Sequence, residues 1–307
     1  ALPISPRACG CADSVESVVR EGVPEELAAD IWRIAVAVGA DGPEPLCDPL
    51  TLLRFYRVCR MNVQDTIDKY RKTLEWRASY SVRAFMELHG SPGEFNEDGS
   101  RRTDVTAWAW RRRTGGTPLA TFAQQYGFFG RLRNPAPADG APVLVWRVGA
   151  ADYGGYEREN LIEPIITAFA AHFEDALQAA RAESLRRRTM VQARLVIDAD
   201  RVTLGVLRCM TLFQRVVDVI GSHYPEMLAS ITVVRSPTFV ERTWPVFRKV
   251  VPPKSRDKVA FFGLDYGAAL SAHAGIERAM LPKFMGGDAP DEDVGEVRAV
   301  PPGLERP

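Results

Sequence analysis

A chain of 307 residues, 46% of them apolar, buries a core large enough for one big domain or for a main domain with a smaller one beside it. The 39 acidic residues balance 39 basic ones, which excludes the global positive field that drives non-specific nucleic-acid binding. No apolar run reaches the roughly 18 to 20 residues that span a bilayer, and five scattered cysteines argue for a reducing compartment over a disulfide framework.

In chain order, residues 1–23 are polar and irregular and read as a flexible lead-in. The opening ALPISPRACGCADS lacks the apolar stretch of a secretory signal. Cys9 and Cys11 invite metal or acyl attachment, but no histidine or second cysteine pair accompanies them. From Pro24 to Val38, Leu27, Ile31, Ile34 and Ala35 recur at helical spacing. Asp48 caps a second helix through LTLLRFYRVCR, and Asn62 caps a third whose Val63, Ile67, Tyr70 and Leu74 share one face. Residues 24–90 thus form a helical N-terminal lobe.

Residues 91–141 are rich in Gly, Pro and Arg, lose periodicity, and read as a loop-rich connection. After Pro142 the pattern changes to PVLVWRVG, a strand, then a helix from about Asn160 to Arg181, then the strand VQARLVID. A further helix carries Val206, Met210, Phe213, Val217 and Ile220 on one face; the strand SITVVR, two helices and the strand KVAFF complete the series. This alternation predicts an α/β lobe over residues 142–290 with a largely parallel sheet, and residues 291–307 read as a flexible tail. Lysine is scarce, and Lys249, Lys254, Lys258 and Lys283 concentrate it in the C-terminal third.

LLRFYRVCRMNVQDTIDKYRKTLEWRASY resembles the helical N-terminal segment of CRAL-TRIO proteins, including its closing Trp-Arg pair. DGAPVLVWRVG is similar to that family's DGRPV strand. VIDADRVTL, HYPEML, VRSPTFVERTWPVF, PPKSRDKV and LPKFMGGD follow in the family's order over roughly residues 46–290. The resemblance implies a helical lobe and a sheet that floors an apolar pocket covered by a gate helix, with one lipid molecule as ligand. Members of the family carry phosphatidylinositol, phosphatidylcholine, tocopherol or retinoid.

The segment after Pro237 is the expected gate. Phe239, Val240, Trp244, Phe247 and Val251 supply its apolar side, and Arg242, Arg248, Lys249 and Lys254 lie elsewhere around it. The same pattern also describes an ordinary amphipathic surface helix. Pro245 is expected to break or shorten it. By motif position, the phosphatidylinositol-binding branch of the family implies headgroup roles for Glu226 in HYPEM, Lys258 and Ser255 in PPKSRDKV, and Arg60 at the end of RFYRVCR. The second basic position of that helical signature is Cys59 here. Of the hydroxyl pair that marks phosphatidylcholine binding, Thr203 is present and its partner is Gly205. An anionic phospholipid is therefore favoured over a choline lipid. A sterol, tocopherol or retinoid carrier, or a sensor that binds lipid without transferring it, remains an alternative.

No enzyme motif of the G-x-S-x-G, G-x-x-x-x-G-K-[ST] or H-E-x-x-H kind occurs, and the four histidines are isolated from one another. Cys209 and Arg215 have the spacing of a cysteine-phosphatase loop, but Met-Thr-Leu-Phe-Gln between them lacks the glycine such a loop needs. The expectation is a non-enzymatic, cytoplasmic carrier that touches membranes transiently. It needs no cofactor beyond its lipid, has no nucleic-acid partner, and nothing in the sequence names a protein partner.

Overall fold

The computed structural model describes residues 14–39, 46–81, 128–132, 137–158, 160–249 and 251–290. Its first helix, α1 (Val15–Arg20), falls inside the expected lead-in. Two serines build its start: Ser17 N donates to Ser14 Oγ at 3.3 Å and Ser14 N donates to Ser17 Oγ at 3.2 Å. This reciprocal cap satisfies amides that a helix start leaves open. The polar composition that reads as flexibility is in fact the cap, and Val18 and Val23 behind it are buried.

Helix α2 (Glu25–Val38) begins with two glutamates, whose charge suits the positive end of the helix dipole. It buries Ala28, Ile31, Ile34, Ala35 and Val38, while Leu27 is only partly covered. Helix α3 (Pro49–Val58) starts as expected on Asp48, whose carboxylate accepts from Thr51 N at 3.0 Å, with Pro49 at the first helical position. Helix α4 (Val63–Trp76) starts on Asn62, which accepts from Asp65 N at 3.0 Å, and it buries Thr66, Ile67, Tyr70 and Thr73. A π-helical turn, Arg77–Ser81, follows it.

The sheet has five strands in chain order: β1 (Phe128–Arg131), β2 (Val143–Arg147), β3 (Ala193–Asp198), β4 (Leu228–Val234) and β5 (Val259–Phe261). All neighbours are parallel except β1, which runs antiparallel to β2 with Phe129 opposite Trp146. Strand β1 corrects the loop reading of residues 91–141 near their end, because a four-residue FFGR strand is too short to show alternation by itself. Most of the rest of that stretch, and the tail 291–307, lie outside the described residues.

Helix α5 (Tyr153–Arg158) precedes α6 (Ile162–Arg187), the long crossover between β2 and β3. The crossover from β3 to β4 starts with a 3₁₀ turn, Leu204–Cys209, before α7 (Met210–His223), so the helix expected from Val206 onward is regular only from Met210. Helices α8 (Thr238–Phe247) and α9 (Pro253–Arg256) lead to β5, and α10 (Gly267–Ala274) closes the series. Period-two alternation sends Leu144, Trp146, Leu195 and Val233 to one face of the sheet, under α6 and α7. Val143, Val145, Val196 and Val234 go to the other, against Leu270, Ala274, Ile276, Leu281 and Met285. In the closing LPKFMGGD segment, a Cβ on Gly287 would lie 1.9 Å from the Leu281 carbonyl oxygen, so the fold-back there admits only glycine.

Candidate functional site

On the first of these faces the sheet is only partly covered, and a half-open cavity of about 520 Å³ remains. Leu195, Ile197, Ile231 and Val233 form its floor, Phe213, Val216, Val217 and Ile220 of α7 one wall, and Val240, Trp244 and Phe247 of α8 its cover. At about 3.3 Å per residue, the seven residues of β4 give the floor a length of roughly 20 Å. That is about two-thirds of the ~30 Å hydrocarbon core of a bilayer, somewhat more than the ~15 Å depth of one acyl layer.

None of the residues of α8 is buried, unlike those of the helices behind the floor. The Trp244 ring stands 5.3 Å from Phe261 and the Phe247 ring 5.6 Å from Phe213, both edge-on. Pro245 lies inside the helix, which stops at Phe247 with Arg248 as its C-cap. The expected gate from Pro237 to Val251 is therefore shortened, and Val251 lines the cavity from beyond the helix end. Phe239 lies on α8 and packs, half-buried, against the core cluster as Val240 and Phe247 do, but unlike them it is not part of the cavity lining.

The two ends of the cavity differ. Beyond the C-terminal ends of β2 and β3 its walls are Val148, Ala199, Val202 and Val206. At the N-terminal ends of β4 and β5 it is polar, lined by Arg60, Glu226, Lys254, Ser255 and Lys258. Four of the five expected headgroup residues are thus brought together. Lys258 Nζ donates to the Leu228 carbonyl oxygen at 2.7 Å and stands 3.7 Å from Glu226 Oε2. Lys254 Nζ donates to the Arg57 carbonyl oxygen at 3.3 Å, tying α9 to the end of α3, just ahead of the turn that carries Arg60. Thr203, the fifth, is exposed ahead of the 3₁₀ turn and lines a separate cavity of about 160 Å³ with Val148, Gly149 and Tyr153.

Backbone strain marks the same mouth. Arg60, Met61 and Glu226 have φ of 52°, 61° and 50°, the left-handed region that non-glycine residues rarely adopt. At Glu226 the conformation is held by two donors on its carbonyl oxygen, Arg54 Nη1 and Gln192 Nε2, each at 2.8 Å. Arg54 is 2% exposed and also donates to the Val191 carbonyl oxygen. Burial lowers its pKa to about 10, so it stays charged at neutral pH. The motif LLRF contains this arginine among apolar neighbours, and a charge in a buried stripe was the signal that it is internal.

Behind the mouth, Trp76 stacks on His223 with ring centroids 4.0 Å apart and planes 3° from parallel, and His223 Nδ1 is 3.4 Å from Thr73 Oγ1. Burial, with Lys69 and Arg77 nearby, pushes the His223 pKa down to about 4, which keeps the ring neutral. Arg77 donates to both oxygens of Glu174 at 2.5 and 2.7 Å in a buried pair, and Tyr224 Oη bonds the Ala170 carbonyl at 3.1 Å. Nothing in the sequence paired Arg77 with Glu174, 97 positions away.

Arg215 forms an ion pair with Glu163 on α6, and the Cys209 side chain lies outside the described residues, as do Cys9 and Cys11. Among the described residues no cluster of metal-ligating side chains occurs, and no helix is long and apolar enough to cross a membrane.

A parallel sheet with one solid face and one face open onto a covered apolar trough is the architecture of a CRAL-TRIO fold. Residues 137–287 match the family model of the CRAL/TRIO domain, and the chain carries a domain of that family. A CRAL-TRIO domain-containing protein of Caenorhabditis elegans is 24% identical over 83% of this chain and 32% of its own length. The phosphatidylinositol/phosphatidylcholine transfer protein SFH9 of Arabidopsis thaliana is 23% identical over 90% of this chain and 44% of its own. The chain thus spans a third to under half of the length of these relatives. The crystal structure of Sfh5 superposes with a TM-score of 0.56 at 11% identity, covering 81% of this chain and 83% of that one, which supports the fold.

Proposed function

We propose that the chain encloses one phospholipid molecule, phosphatidylinositol or another anionic lipid, and exchanges it between membranes without chemical conversion and without a resident cofactor. The observation that carries this reading is the polarity gradient of the cavity: an apolar trough about 20 Å long with Glu226, Ser255, Lys258 and Arg60 at one end. A diacyl lipid brings on the order of 30 methylenes at about 0.8 kcal/mol each, so leaving into water would cost more than 20 kcal/mol. Such a ligand moves only between two apolar places, which requires a greasy trough and a cover that opens against a membrane. Helix α8 suits that task because it covers the trough while burying none of its own residues. The names of the Arabidopsis relatives support the same class of cargo.

The test is mass spectrometry of lipid co-purifying with the protein, followed by vesicle-to-vesicle transfer of labelled phosphatidylinositol. Stoichiometric lipid and measurable transfer are expected. Lipid without transfer converts the reading to a sensor, and a sterol, tocopherol or retinoid in its place removes the headgroup assignment. Lys258→Ala is expected to lower phosphatidylinositol loading by about 10- to 150-fold, the range for losing a hydrogen-bonded partner of a charged group.

A further inference from the structure

Gln192 immediately precedes β3, is half-buried, and is not part of the cavity lining. Its Nε2 donates to the Glu226 carbonyl oxygen at 2.8 Å and to Glu226 Oε2 at 3.3 Å. The same carboxylate oxygen stands 3.7 Å from Lys258 Nζ, an ion-pair distance beyond hydrogen-bond range. One oxygen is therefore held between a neutral donor on one side and a cation on the other. An ammonium has three donors, and Lys258 gives one to the Leu228 carbonyl at 2.7 Å. The other two are open to an anion as long as Glu226 does not take them. Among the described residues Glu226 Oε1 accepts no hydrogen bond.

Releasing the carboxylate from Gln192 changes this balance. In a partly desolvated site the attraction between unlike charges is stronger than in water, and a free Glu226 would close on Lys258 to the ~2.8 Å of a charge-assisted hydrogen bond. That contact would occupy a donor and neutralise the charge that a phosphate needs. We infer that Gln192 is a positioning residue for headgroup selection: it holds the Glu226 carboxylate off Lys258, leaving the ammonium to a phosphodiester and Glu226 Oε1 to a hydroxyl of a polyol headgroup. The inference rests on the phospholipid reading above and names the chemistry that reading leaves open, a phosphate bearing hydroxyls in preference to a zwitterion without them.

The experiment is competitive loading of labelled phosphatidylinositol and phosphatidylcholine from mixed vesicles into the purified full chain, wild type and Gln192→Leu, with thermal melting of each. The wild type is expected to prefer phosphatidylinositol. Gln192→Leu is expected to reduce that preference about three- to tenfold, the value of one hydrogen bond to a charged group that acts indirectly, with phosphatidylcholine loading unchanged. In a Glu226→Gln background the same substitution is expected to alter the preference less than about twofold, because the two residues act as one unit. A purely structural role for Gln192 predicts equal loss of both lipids instead, and that result overturns the inference. Preference retained in Gln192→Leu overturns it as well, while the phospholipid reading stands. A wild type that loads both lipids equally or neither overturns both. Should Gln192→Leu fail to fold, Gln192→Glu keeps the side-chain length and replaces the donor with a second carboxylate; an undiminished preference in that variant sinks the inference.

Discussion

The two faces of the sheet are built from the same kind of residue, alternating along the same strands, yet one is solid and the other hollow. Val143, Val145, Val196 and Val234 are at most 2% exposed and are sealed by α10 and the segment behind it. On the opposite side Ile197 and Ile231 are half-buried at the floor of the 520 Å³ cavity, although neighbouring Leu144 is sealed by the rest of that face. Protein interiors are close-packed, and an unfilled apolar space sacrifices dispersion contacts on every wall. A hollow face is therefore a stability sacrifice that only an occupant offsets, and the contrast between faces locates the functional half of the molecule without reference to any motif.

The largest effect that sharpens this contrast comes from truncation. Ile276→Ala on the solid face is expected to lower unfolding free energy by about 2 to 5 kcal/mol, whereas Ile197→Ala at the cavity floor removes less packing and is expected to cost about 1.5 kcal/mol or less in the lipid-free protein. Urea midpoints of the two variants measure the difference, and equal costs would erase the distinction between faces. Enlargement runs the other way. Val196→Trp overpacks the solid side and is expected to destabilise by about 1 to 3 kcal/mol or more; Val217→Trp enters the cavity, leaves stability near wild type, and lowers lipid loading by about tenfold. Loading assays and melting of the pair decide it.

The cover itself gives a smaller stability effect. Trp244→Ser with Phe247→Ser is expected to change stability by about 1 kcal/mol, since neither residue is fully buried, while slowing vesicle transfer several-fold. An unchanged transfer rate removes α8 from the exchange step. Smallest is the pH term from His223. Its folded pKa of about 4 lies below the ordinary value of 6.5, so the unfolded chain binds the proton more readily between those pH values. The stability it confers is complete above about pH 6.5 and is lost as pH falls toward 4. With the ring only half-buried and partly screened, the loss between pH 7.5 and 5 is expected to be about 1 kcal/mol. His223→Gln should flatten that part of the profile, read from urea midpoints at the two pH values.

Much of this was legible in the chain. Asp48 and Asn62 announced their helices because caps act within three residues, and the strands announced themselves because alternation is local. Strand β1 did not, since FFGR has meaning only beside β2, and α1 did not, since its cap is made of the serines that also signal disorder. At the site, Glu226, Ser255, Lys258 and Arg60 line one end of the trough, whereas Thr203 lines a different cavity and Phe239, half-buried on α8, is not part of the trough lining. Gln192 carried no motif of its own, and the LLRF motif marked Arg54 as internal without naming its partners. Their roles depend on the Glu226 carbonyl turning toward them, and a left-handed residue that is not glycine or asparagine leaves no trace in a sequence.

Arg54 also sets where the molecule can be cut. Its guanidinium, contributed by α3, satisfies the carbonyls of Val191 and Glu226, and Arg77 likewise neutralises Glu174 from outside residues 137–287. A chain beginning at residue 137 would retain the whole span recognised by family similarity and yet strand the Val191 carbonyl, leave Gln192 as the one donor to the Glu226 carbonyl, and strip the buried Glu174 carboxylate of its cation, the last alone a loss of about 3 to 5 kcal/mol. Against a typical total of 5 to 15 kcal/mol, that is enough to leave the fragment unable to hold its shape. The unit that kinship delimits and the unit that folds are different lengths of the same polypeptide, and the helical lobe belongs to the second.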